Sequence, residues 1–135
     1  MDQYVKSGKV RFGYIHFAFL GAESFAAAEA SECAAEQERF WEYHDLLFES
    51  QNGENQGAFS EENLIKFAGQ VGLDVDQFTQ CLKDGKYTEL VQTESQFGRS
   101  IGVQSTPSFL VNGTPIVGAQ PFESFKQVIE AELGK

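Results

Sequence analysis

The sequence is poor in cysteine and in basic residues. It contains two cysteines, Cys33 and Cys81, among 135 residues. Two cysteines are too few for a disulfide scaffold or for a zinc site with four cysteine ligands. Ten lysines and arginines stand against twenty aspartates and glutamates, which gives a formal charge of −10. A phosphate backbone requires a basic surface, so we expect no nucleic-acid partner.

Long apolar runs are also absent. No stretch approaches the roughly 20 apolar residues that cross a bilayer, so we expect no membrane insertion. The opening residues, MDQYVK, lack the apolar core of a signal peptide, and we expect a chain that is cytosolic, already processed or cut from something longer. Core material is plentiful, with thirteen phenylalanines and a 41% apolar fraction. This composition predicts one folded domain over residues 1–135.

The predicted order of elements begins with a strand, followed by a block of helices. The stretch Val10–Phe17 is rich in aromatic and β-branched residues, which favours a buried strand. The helical block extends from about residue 23 to residue 99. Its predicted members are one long helix over Glu23–Ser50, two shorter helices capped by Ser60 and Asp74, and a helix over Tyr87–Arg99.

A hairpin and a last helix complete the predicted order. Two short strands, Ser108–Val111 and Thr114–Val117, flank Asn112-Gly113, a dipeptide typical of two-residue hairpin turns. Pro121 suits the first position of the final helix. The expected buried face of this helix consists of Phe122, Phe125, Val128, Ile129 and Leu133.

Four stretches resemble the DsbA-like branch of the thioredoxin superfamily, the bacterial thiol:disulfide oxidoreductases. They are SGKVRFGYIHF, AAAEASECAAEQERFWEYHDLLFESQ, GLDVDQFTQCLKDGKY and GVQSTPSFLVNGTPIVGAQP, and together they cover nearly the whole chain. The resemblance implies an α/β thioredoxin-like fold in which the helical block, about residues 23–99, is an insertion. It also implies a location outside the cytoplasm, in the periplasm or the cell envelope.

The resemblance assigns a role to the loop before the hairpin. In the family the equivalent Thr-Pro bond is cis, and its loop lies against a reactive Cys-x-x-Cys motif and holds an extended substrate. The resemblance therefore implies that Ser105, Thr106 and Pro107 bind an extended peptide or protein. The residues alone leave another interpretation open, an ordinary trans proline before an edge strand.

The chain departs from the family at the reactive motif itself. It contains no Cys-x-x-Cys, so we expect an incomplete fold without the family's first strand and dithiol. We expect no catalytic residue, no cofactor and no metal ion. Cys33 and Cys81 lie in mid-helix on predicted apolar faces, where burial makes a thiol unreactive. They are expected to be either two packed thiols or one structural disulfide between two helices.

Three functions remain open from the sequence. The first is an oxidoreductase-family member, or a fragment of one, that keeps the fold and the Thr106-Pro107 loop but is redox-inactive. The second is a non-enzymatic module for peptide binding or assembly. The third is an atypical oxidoreductase that uses Cys33 and Cys81. Without the central strand of the family, Val10–Phe17 becomes an edge, which predicts a homo-oligomer formed through this stretch.

Overall fold

The computed structural model describes all residues, 1–135. It contains six helices, none of them long and apolar enough to cross a membrane, and two strands. The elements are α1 (Ala22–Ala35), α2 (Phe40–Glu49), α3 (Glu61–Gln70), α4 (Val75–Lys83), α5 (Thr88–Ser100), β1 (Ser108–Val111), β2 (Thr114–Val117) and α6 (Phe122–Leu133). The chain divides into a helical unit, His16–Phe97, and a hairpin unit, Met1–Ile15 with Gly98–Lys135.

The helical unit has an apolar core shared by α1 to α4. Small residues of α1 and large residues of the other helices meet there, because short side chains on one helix let its neighbours approach closely. The fully buried core residues include Ala30, Ala34, Tyr43, Leu64, Ala68 and Phe78. The hydroxyl of Tyr43 donates a hydrogen bond of 2.9 Å to the carbonyl of Leu64, so the one polar atom of this buried ring is satisfied.

Two helix starts predicted from the sequence are confirmed. At the start of α3, Ser60 Oγ accepts a hydrogen bond of 3.4 Å from the backbone N–H of Asn63. At the start of α4, the carboxylate of Asp74 accepts one of 3.0 Å from Gln77. Each cap satisfies a backbone donor that has no partner inside the helix.

The prediction of one long helix over Glu23–Ser50 is wrong. The structure has two helices there, α1 and α2, separated by residues 36–39. Glu38 adopts a left-handed φ of 59°, and the N–H of Arg39 donates to the carbonyl of Ala34 at 3.0 Å. A left-handed residue ends an α-helix even when apolar residues recur at helical spacing on both sides of it.

The predicted strand over Val10–Phe17 is not formed. Residues 10–19 belong to no strand, and the sheet has only β1 and β2. A strand is defined by a ladder of hydrogen bonds to a neighbouring strand, and the sheet pairs β1 only with β2. At its end, the backbone N–H groups of His16 and Ala18 donate instead to α5 side chains, the Glu94 carboxylate at 2.7 Å and the Ser95 hydroxyl at 3.0 Å.

The hairpin of the second unit is as predicted. β1 and β2 pair antiparallel, with Ser108 opposite Val117 and Val111 opposite Thr114. The turn residues Asn112 and Gly113 have φ values of 49° and 92°. Two positive φ values in succession define the tight turn whose twist matches that of the flanking strands.

The last helix, α6, packs on the hairpin through part of its apolar face. The ring of Phe125 meets that of Phe109 edge-on, with centroids 4.8 Å apart. Phe122 and Leu133, which were expected to be buried, are 53% and 45% exposed. Two strands of four residues each offer too little surface to cover a helix of twelve residues. Pro121 is the N-cap of this helix, one position before the predicted place.

Candidate functional site

The exposed loop before β1 contains the predicted binding residues Ser105, Thr106 and Pro107. The peptide bond between Thr106 and Pro107 is cis, the geometry that the family resemblance implies. The loop is held on both sides of Thr106. The carbonyl of Pro107 accepts a hydrogen bond of 2.8 Å from the N–H of Gly118, and the Ser108 hydroxyl donates one of 2.6 Å to the carbonyl of Ser105.

The main chain of Thr106 is available between these two fixed neighbours. Neither its N–H nor its carbonyl takes part in a hydrogen bond within the protein, and the residue is exposed. Exposed backbone groups beside a strand can pair with the backbone of an added peptide. The loop therefore offers a donor and an acceptor of fixed position.

The two cysteines are joined to each other. Cys33 of α1 and Cys81 of α4 form a disulfide between residues 48 positions apart, with their Cα atoms 5.9 Å apart. This decides between the packed thiols and the disulfide that the sequence left open. The side chains lie in the core of the helical unit, since Cys33 is 1% and Cys81 is 6% exposed.

A surface cavity of about 350 Å³, which no sequence pattern predicted, lies beside this disulfide. Most of its wall comes from residues of α4 and its C-cap at steps of three and four, which places them on one helix face. The lining residues are Glu36, Gln77, Gln80, Cys81, Asp84 and Lys86. Only the polar residues spaced along α4 could have indicated it.

Glu36 organises the charges of this cavity. Its carboxylate accepts hydrogen bonds from the Lys86 ammonium and, at 2.8 Å, from the Tyr87 hydroxyl. The bond from Lys86, followed by that from Tyr87, holds the pKa of Glu36 below its usual value. Burial, followed by the bond to Glu36, raises the pKa of Tyr87 to about 12. At neutral pH the cavity therefore contains an ionised Glu36.

Both histidines lie in the helical unit and have carboxylate neighbours. Nε2 of the buried His16 lies 2.7 Å from Oε1 of Glu32. Nδ1 of His44 lies 3.0 Å from Oδ1 of Asp45, the next residue in the chain. These contacts are those expected of structural, hydrogen-bonded histidines, and neither residue lines the cavity beside Cys81.

Comparison with known proteins places these features in a family. The model of the family described as "Thioredoxin" matches residues 1–131. The probable disulfide bond formation protein D of Bacillus anthracis is 31% identical over 99% of this chain and 63% of its own length. A Na(+)/H(+) antiporter NhaA of Herminiimonas arsenicoxydans is 34% identical over 78% of this chain, but over only 16% of the antiporter.

A solved structure shows the same fold. Oxidised BdbD from Bacillus subtilis superposes with a TM-score of 0.88 at 26% identity, over 99% of this chain and 74% of that one. Among the curated relatives, the chain spans about 63% of the length of the Bacillus anthracis protein. Its helices and two-stranded sheet form a mixed α/β thioredoxin-like fold. The family match and the solved structure agree, and the chain belongs to the thioredoxin family.

Proposed function

We propose that this chain is part of a protein that exchanges thiols and disulfides with other proteins, and that it holds an extended polypeptide at Ser105, Thr106 and Pro107. The observation that carries the proposal is the exposed main chain of Thr106, which makes no hydrogen bond and lies between two anchored neighbours. The similarity to disulfide bond formation protein D supports the reaction class.

Binding at this loop uses the backbone of the partner. An extended segment places a carbonyl against the N–H of Thr106 and an N–H against its carbonyl, as a neighbouring strand does. Such bonds form with nearly any residue type, so the loop accepts many sequences. The chain's formal charge of −10 favours neutral or basic segments over acidic ones.

The Cys33–Cys81 disulfide, in this proposal, stabilises the helical unit, and residues 1–135 alone bind a polypeptide without oxidising it. Two facts support this role. The thiolate of a protein partner must reach a sulfur to exchange with it, and these side chains are 1% and 6% exposed. Both cysteines also lie inside their helices, away from the helix N-terminus where a thiol pKa is lowered.

A second candidate function is disulfide exchange at Cys33–Cys81 itself. It is favoured by two observations: the two sulfurs are already joined, as an oxidant requires, and Cys81 lines an open cavity. Catalysed reduction of insulin separates the two candidates. Turnover well above that of a simple thiol, lost in Cys33→Ser, supports the second candidate, and turnover no faster than a simple thiol supports the first.

Peptide binding is tested by an NMR titration of the ¹⁵N-labelled chain. The ligand is an extended peptide with serine in place of cysteine, so that no covalent bond can form. We expect the amide signals of Ser105, Thr106 and Ser108 to shift as the peptide is added. Unshifted signals for this loop at millimolar peptide would contradict the proposal.

A pair of variants separates the backbone from the side chain. Thr106→Pro removes the N–H and should weaken binding about fivefold, the effect of one net hydrogen bond. Thr106→Val keeps the N–H and the shape of the side chain, and should bind as the parent chain does. Unchanged signals from β2 check that the hairpin is intact. Equal binding by both variants would show that the Thr106 N–H is not a contact.

A further inference from the structure

We propose that Cys81, and not Cys33, is the sulfur that small thiols attack, and that the cavity beside it favours a cationic thiol over an anionic one. The inference extends the second candidate function, disulfide exchange at Cys33–Cys81. It rests on that function in one respect, which is that the disulfide must be reactive. It concerns one stoichiometric reaction and does not require catalytic turnover.

The two sulfurs have unequal surroundings. Cys33 is 1% exposed and lies next to Ala34, which is fully buried. Cys81 is 6% exposed and forms part of the wall of a cavity of about 350 Å³. Thiol–disulfide exchange proceeds by attack on one sulfur while the other leaves. Of the two cysteines, only Cys81 lines this cavity, so a nucleophile that enters there contacts Cys81 and not Cys33.

The charges around the cavity select among thiols. Two carboxylates, Glu36 and Asp84, and one ammonium, Lys86, line it, so the lining carries a net charge of −1. The Lys86 ammonium is engaged with Glu36, while the Asp84 carboxylate accepts only from the Gln80 amide at 2.7 Å. Asp84 thus presents a charge that no cation neutralises. A cationic group on the thiol is attracted there and an anionic group is repelled.

The reaction balances without another reagent. The thiolate of the small thiol bonds to Sγ of Cys81, the Cys33–Cys81 bond breaks, and Sγ of Cys33 leaves as a thiolate that takes a proton from water. The product is a mixed disulfide on Cys81 and a free thiol on Cys33. A second molecule of the small thiol then attacks the sulfur that the first molecule contributed to the mixed disulfide. This attack releases Cys81 as a thiolate and forms an oxidised dimer of the small thiol.

The experiment compares cysteamine, which is cationic, with 3-mercaptopropionate, which is anionic. The native chain is incubated with each thiol without denaturant, quenched with iodoacetamide and digested for mass spectrometry. We expect the small-thiol adduct on Cys81 and carbamidomethylation on Cys33. Each rate constant is divided by that of the same thiolate with a small neutral disulfide, because a more basic thiolate is intrinsically more nucleophilic. After this correction cysteamine should react roughly fivefold faster, and the difference should shrink at 1 M salt, where the screening length falls to about 3 Å.

Two aspartates of the α4 region give a matched pair of variants. Asp84→Asn should reduce the preference for cysteamine to about twofold or less. Asp76→Asn makes the same change of charge on the same helix but outside the cavity, and should leave the preference unchanged.

The outcomes separate this inference from the function it rests on. An adduct on Cys33, or equal corrected rates for the two thiols, overturns the inference and leaves exchange at the disulfide intact. A disulfide that neither thiol opens in the native chain, or one that opens only at a rate independent of thiol concentration, overturns both. Peptide binding at Thr106 is unaffected by any of these results.

Discussion

Tyr4 donates its phenolic hydrogen to Oε1 of Glu130 at 2.6 Å and thereby joins two residues 126 positions apart in the sequence. The ring is 4% exposed, with the ring of Phe122 6.4 Å away. This bond fastens the first turn of the hairpin unit to α6. The bond to Glu130, followed by burial, raises the pKa of Tyr4 to about 12.

Stability should therefore fall at high pH. The pKa values of Tyr4 and Tyr87 are both raised from 10.0 to about 12 in the folded chain. The unfolded chain loses these protons first, so their contribution is complete below pH 10 and is lost as the pH rises towards 12. Urea unfolding between pH 8 and pH 11, roughly the span over which an ordinary tyrosine begins to ionise, should show the decline.

Absorbance at 295 nm provides the check on this prediction. At about pH 11 the native chain should show less tyrosinate than the same chain in urea. Tyr4→Phe should weaken the dependence of the unfolding free energy on pH. Complete ionisation of all four tyrosines in a chain that is still folded would contradict the assignment.

The pair of His16 and Glu32 gives a second prediction. Glu32→Leu keeps a side chain of similar size but leaves the ring nitrogen of the buried His16 without this acceptor. We expect the free energy of unfolding to fall by about 1–3 kcal/mol, the cost of an unsatisfied buried polar group. Glu29→Leu, one turn earlier on α1, removes no hydrogen bond and should change it by about 0.5 kcal/mol or less. Similar losses in the two variants would show that the pair contributes nothing.

The disulfide gives a third prediction. The double variant Cys33→Ala with Cys81→Ala should unfold at lower urea concentration than the oxidised parent chain. For a bridge across 48 residues of sequence, the chain-entropy estimate of the loss is about 4 kcal/mol. Reduction of the parent chain is the matched comparison, because it opens the same loop without changing the sequence. A double variant as stable as the oxidised chain would rule out a structural role.

Self-association through Val10–Phe17 stays a prediction. This stretch is outside the two-stranded sheet, and Ile15 is 54% exposed. We expect sedimentation at micromolar concentration to show a homodimer or larger species, because backbone outside a sheet can pair with a second copy. Ile15→Lys should shift the chain towards the monomer. Phe48→Lys, at a position 56% exposed on α2, is the control and should not. A monomeric parent chain would refute the prediction.

Local signals account for the parts of the fold that the sequence predicted well. The Asn112-Gly113 turn and the Ser60 and Asp74 caps each depend on a few neighbouring residues. Their conformations therefore depend little on the rest of the fold. The end of α1 at Glu38 has no such signal, since glutamate rarely adopts a left-handed conformation. The strand expected over Val10–Phe17 depends on a partner strand, which the composition of the stretch itself does not reveal.

The two candidate sites also differ in how far the sequence could predict them. Ser105, Thr106 and Pro107 were identified through the family resemblance, and the structure adds the free backbone of Thr106. The cavity beside Cys81 joins residues of α4 to Glu36 and Lys86, which are 50 positions apart. Only packing brings such residues together, so no sequence motif marks the cavity.

The disulfide determines what happens when a protease cleaves the helical unit between the two cysteines. Cys33 and Cys81 close a covalent ring that contains α2, α3 and the exposed loop at residues 51–57 between them. A protease that hydrolyses one peptide bond in that loop releases no fragment, and the nicked product migrates as one molecule until a reductant is added. The two halves of the helical unit then remain tethered, so cleavage in this exposed loop does not by itself separate them.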